Sequence, residues 1–193
     1  MPIHPAPYAP YIKPSGFFPT LRPLKIETNL TQLQQAELEK ADENFYFKEF
    51  LAHYDSHHVD TLVHALNDTI TPKIDCTACG NCCRSLMINV TQPEVEKLAG
   101  HLNMSADKVK EKYVETSLMG DMIINRIPCH FLSGNTCSIY EHRFNECRDF
   151  PGLHKTNFTS RLFATFMHYG RCPIIYNVIE QLKIEVGFTN QAT

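Results

Sequence analysis

The stretch CTACGNCC, Cys76 to Cys83, places four thiols within eight residues, and any fold of this chain must bring those sulfurs to something that can use them. Cysteine can pack in a core as a small apolar side chain, or pair as a disulfide. A C-x2-C-x2-C-C run suits neither role. Bridges inside so short a stretch would be badly strained, and packing does not call for regular spacing. A repeated C-x2-C turn instead lets sulfurs converge on an inorganic centre, as in the C-x2-C-x2-C run of bacterial ferredoxins. Cys76, Cys79 and Cys82 are therefore expected around one centre. Cys83, whose side chain should diverge from that of its neighbour, is expected to bridge to a second.

After a gap of 45 residues come Cys129, Cys137, Cys147 and Cys172, separated by seven, nine and 24 residues. The fourth ligand of the first centre must come from this half. Cys172-Pro173 has the Cys-Pro form of the remote ligand in ferredoxin clusters. Arg84, Arg148 and Arg171 each adjoin a cysteine, where a cation favours thiolate over thiol. Zinc and iron-sulfur centres both take tetrahedral thiolates; the triple run favours [4Fe-4S], and zinc, which more often uses two separated pairs, is the alternative. His57, His58, His130, His142, His154 and His168 are available as ligands, but eight cysteines leave none of them needed. Phe150, Phe158, Phe163, Phe166 and Tyr169 suit either a shield for a centre or ordinary core packing.

A chain of 193 residues, 43% hydrophobic and 20% charged, with no long apolar run, describes a soluble globular protein and not a membrane-spanning one. A net charge of -3 offers nucleic acid no attraction. The first 23 residues hold seven of the twelve prolines and lack both the basic start and the apolar core of a secretory signal. A cytoplasmic location is expected, where thiols stay reduced.

Four segments are expected: a proline-rich arm over 1–28, a helical segment over 29–72, a cysteine-cluster metal-binding domain over 73–188 and a tail over 189–193. One helix should run from Thr31 to about Tyr54. Ser56 should cap the next, with Val59, Leu62, Val63 and Leu66 as its apolar stripe. Thr91 and Glu94 have capping-box spacing ahead of Val95, Leu98, Ala99 and Leu102. Ser105 should cap a helix carrying Val109 and Tyr113 inward. LMINV and MIINRI read as short strands, and Cys129 to Gly152 as turns and short helical pieces. A final helix from Pro173 should bury Ile174, Ile175, Val178, Ile179 and Leu182. The fold class is mainly α with short strands or turns, a single small domain organised around a cysteine-ligated metal centre.

CTACGNCC, followed by CHFLSGNTCSIYEHRFNECRDFPG and a later CP, resembles the bacterial CxxCxxCC family, also called the YkgJ family of cysteine cluster proteins. The resemblance covers roughly Asp75 to Pro173 and implies a zinc- or iron-chelating domain. It carries the role of metal ligand to Cys76, Cys79, Cys82, Cys83, Cys129, Cys137, Cys147 and Cys172. Where the family usually has Arg-Pro, this chain has Arg143-Phe144. Three functions stand in order: a redox-active iron-sulfur protein with an unidentified redox or protein partner, a structural zinc module for interaction or metal handling, and a relative of the flagellin lysine N-methylases, which contain this domain and would bind S-adenosylmethionine.

Overall fold

Helix α1 (Leu30–Glu39) begins where the Asn29 side chain accepts from the backbone N–H of Thr31 and Gln32, an N-cap that satisfies donors no helical carbonyl can reach. The computed structural model describes residues 25–189. The proline-rich arm as far as residue 24, and the tail beyond 189, lie outside the described residues.

The expected long helix is two. α1 ends at Lys40, with φ -104° and ψ 17°, and α2 (Ala41–Ala52) starts there. Neither Gly nor Pro marks the break, and tertiary contacts hold it: the Lys40 ammonium pairs with Glu180 on a distant helix. α3 (Ser56–Ile70) is capped by Asp55, whose side chain accepts from His58 N–H, rather than by Ser56, whose hydroxyl accepts from the Thr159 hydroxyl. Its buried face is Val59, Leu62, Val63 and Ile70, with Leu66 only half covered.

The last helix of the fold, α10 (Pro173–Glu185), carries Pro173 in its first turn, where a missing N–H costs nothing. It buries the five apolar residues expected of it, and packs chiefly on α3. Together with α2 and with α9 (Leu162–Phe166), these helices enclose the larger of two apolar cores, which includes Phe47, Leu51, Phe158 and Tyr169. Lys183 is 5% exposed within this layer and is held by Glu43, Asn44 and Glu180 at 2.6–2.7 Å.

The second core belongs to the middle of the chain. Helix α6 (Gln92–Leu102) opens with the Thr91–Glu94 capping box, and α7 (Ala106–Tyr113) with Ser105. They cover a three-stranded antiparallel sheet, ordered β1 (Asn89–Val90), β3 (Met122–Ile124), β2 (Val114–Thr116). LMINV and MIINRI supply β1 and β3, shorter than the apolar runs themselves. Val95, Leu98, Val109, Ile124, Phe131 and Phe144 fill the space between.

From Cys129 onward the chain makes a small hairpin, β4 (Leu132–Ser133) and β5 (Thr136–Cys137), a 3-10 turn at Tyr140–His142 and helix α8 (Asn145–Asp149). The expected turns and short helical pieces are there, and the hairpin is an addition to them. Among the described residues no helix is long and apolar enough to cross a membrane.

Candidate metal centre

The run CTACGNCC forms two short helices in place of open turns: α4 (Cys76–Cys79) and α5 (Asn81–Ser85). Asp75 caps the first, its Oδ1 accepting from the N–H of Thr77 at 2.8 Å and Ala78 at 3.2 Å. Gly80 separates them at φ 60°, a left-handed conformation that costs other residues a Cβ clash. A Cβ built there would also stand 2.6 Å from the Asn135 carbonyl oxygen. The glycine thus allows both the reversal between the helices and the approach of the β4–β5 loop.

That loop is locked on by two side chains. The Arg84 guanidinium donates to the Cys79 carbonyl at 3.0 Å, to the Gly134 carbonyl at 2.8 Å and to the Asn135 side chain. Asn135 Nδ2 returns a bond of 2.7 Å to the Ala78 carbonyl. Two further ties bring in the rest of the thiols. Cys129 N–H donates to the Cys83 carbonyl at 2.8 Å, and Asn81 Nδ2 to the carbonyl of Arg171, beside Cys172, at 2.8 Å.

These links bring all eight cysteines to the wall of one cavity of about 200 Å³. A single water needs roughly 10–15 Å³ on the same scale, so the space exceeds that of a lone ion. The cavity lies at the seam of the two cores: Cys172 is part of the first, while Cys129, Cys137 and Cys147 pack against the second. None of the eight is disulfide-bonded; Cys172 is buried, Cys76 exposed and the others half-buried. Cys82 and Cys83 both line the cavity, although they are neighbours on one helix. Among the described residues no three His, Cys, Asp or Glu side chains form a ready-made site for one ion, so the sulfurs are spread along the wall.

Burial is the first influence on four of the thiols, and their mutual hydrogen bond is the first influence on the adjacent pair Cys82 and Cys83. Desolvation raises Cys147 and Cys172 to about 12, and raises Cys76 and Cys129 as well. Hydrogen bonding from the Cys83 thiol lowers Cys82, and the same contact raises Cys83. Of the charges felt by Cys172 the largest are Cys76 and Cys82, whereas Cys83 feels Cys129 and Cys137 besides Cys82.

The arginines divide in a way their sequence positions do not reveal. Arg84 is a clamp on carbonyls, and its charge also helps to lower Cys82. Arg148 donates to the carbonyls of Glu141 and Arg143, supporting the turn before α8. Arg171 is exposed. Of the three arginines that line the cavity, Arg143, Arg148 and Arg171, the half-buried one is Arg143, which lowers Cys76 and Cys147 and lies 3.8 Å over the Tyr140 ring. Its only sequence mark is the departure Arg143-Phe144, and Phe144 is buried in the second core.

Of the five aromatics that suited either shielding or packing, Phe150 alone lines the cavity. Phe158, Phe166 and Tyr169 are in the first core, and Phe163 is 75% exposed. Among the histidines, His168 lines the cavity. His130 meets Asn125 Oδ1 at 2.6 Å, and the His142 ring lies on His101.

The donor set fits a thiolate-held metal: eight thiols free of disulfides, two half-buried arginines, Arg84 and Arg143, and a largely apolar wall. Residues 75–164 match the CxxCxxCC family model, whose description reads "Putative zinc- or iron-chelating domain". Seven of the eight cysteines fall inside the match, and Cys172 lies beyond it. No curated protein and no solved structure matches the chain significantly.

Proposed function

We propose that the CxxCxxCC match over residues 75–164 marks a metal-binding cysteine domain, and that its metal is iron, held as an iron-sulfur centre of the [4Fe-4S] kind with a redox role in the cytoplasm. One observation carries this reading: eight thiols from four separated parts of the chain line a single cavity with room for more than one ion. The cysteine-cluster unit is taken to span 73–188, so that it includes Cys172.

Cys76, Cys79, Cys82 and Cys172 form one thiolate set in this account, and Cys83, Cys129, Cys137 and Cys147 the other. The bond between Cys129 N–H and the Cys83 carbonyl supports the second grouping, as does the packing of its three later cysteines on one core. The Asn81–Arg171 bond supports the first. Bound there, an iron-sulfur centre supplies one-electron chemistry. The chain's own residues do the rest: Ile74, Leu86, Phe131 and Ile139 keep water from the sulfurs, and Arg143 offsets thiolate charge. An unidentified electron donor or acceptor would be the partner.

Anaerobic purification followed by iron, zinc and acid-labile sulfide analysis tests the reading. Brown protein with iron and sulfide supports it. Colourless protein with stoichiometric zinc rejects the redox role in favour of a structural zinc module.

A further inference from the structure

Buried polar atoms in folded proteins nearly always have hydrogen-bond partners, because an unsatisfied one loses its hydration with nothing in return. Among the described residues a single buried side-chain nitrogen or oxygen breaks this rule: Nδ1 of His168. The exception stands in a particular place. The His168 ring lines the thiol cavity, and also lines an open neighbouring cavity of about 440 Å³ that shares Leu86, Phe150 and Pro151 with it. It is therefore part of the partition between the cysteines and solvent.

The residue is firmly held. Its carbonyl accepts from Cys172 N–H at 2.9 Å and from Arg171 N–H at 3.1 Å, and the Phe150 ring meets the imidazole edge to face at 5.2 Å. Backbone and ring are thus fixed one helical turn before a cavity cysteine, while one ring nitrogen bonds to nothing. A partner that arrives with the metal would resolve this. Thiols are poor acceptors, but ligation makes them anions, and a sulfur anion accepts readily from a neutral imidazole N–H.

We propose that His168 Nδ1–H donates a hydrogen bond to a sulfur of the metal centre, making His168 a positioning residue for that centre and not one of its ligands. The inference rests on the cysteines holding a metal, iron or zinc, and on nothing about which. Outer-sphere bonds of this kind orient ligands and tune affinity, and their loss typically costs about 10- to 100-fold in metal binding.

The account predicts opposite behaviour with and without metal, which separates it from a merely structural role. His168→Phe removes the orphaned nitrogen, so the metal-free variant should melt at or above the wild-type temperature. The same variant, carrying whichever metal the purified protein holds, should lose it to a chromogenic chelator with about 10- to 100-fold weaker affinity. Unchanged affinity in His168→Phe overturns the proposal. If metal-free stability and affinity both fall, His168→Asn decides, since it keeps an N–H donor: recovered affinity upholds the proposal and unrecovered affinity overturns it. Metal lost from Cys79→Ser but unaffected in His168→Phe removes this inference alone. Wild-type protein that takes up neither metal removes the proposed function with it.

Discussion

At the scale of single residues, Gly80 and the paired thiols carry the strongest consequences. Gly80→Ala forces a left-handed backbone on a residue with a Cβ and pushes that Cβ against the Asn135 carbonyl. The variant should lose at least about 1–3 kcal/mol by urea titration, before any metal is considered. The thiols give a pH signature. Folding holds Cys147 and Cys172 protonated up to about 12, above the ordinary thiol range. A raised acid binds its proton more tightly in the folded state, so the stability it contributes is full below that range and disappears as pH climbs through the folded value. The melting temperature of metal-free protein should therefore fall as pH rises from about 8.5 toward 12. Metal affinity should run the other way and rise with pH, because ligation releases the thiol protons.

Among elements, α4 and α5 are held against the β4–β5 hairpin by Arg84 and Asn135. Arg84→Lys keeps the charge but cannot reach three acceptors with one planar fork. It should weaken metal retention in a chelator competition almost as much as Arg84→Gln, which would not hold if charge near Cys82 were the important contribution. The element pattern also shows which parts of the chain can be read from sequence. Local signals sufficed for α6, α7 and α10, where a capping box, a serine cap or a first-turn proline stands ahead of a 3.6-residue apolar stripe. They failed at Lys40, where a remote partner, Glu180, rather than a helix breaker accompanies the end of the helix. The eight cysteines announced themselves by spacing, and all line the cavity. Asn135 did not, and Arg143 and His168 stood out only as a departure from a family pattern and as one of several unneeded histidines, because their neighbours are brought close only by the tertiary fold.

Across the whole molecule, the cavity is placed where two apolar cores meet, so the metal centre would join bodies that otherwise share little packing. The α3–α10 contact is apolar and needs no ion. Hydrogen exchange after chelation should therefore quicken first in α4, α5 and the β4–β5 hairpin, while amides of α3 and α10 stay protected; uniform loss of protection would show that the cores are not separable in this way. The dependence of the whole arrangement on a metal is read most directly by native mass spectrometry of anaerobically purified protein, run beside Cys79→Ser and Cys147→Ser. The account predicts that the wild-type chain carries the mass of bound metal in excess of its polypeptide, and that each substitution removes part of it. A wild-type mass equal to that of the bare polypeptide, unchanged after reconstitution with iron and sulfide or with zinc, would contradict it.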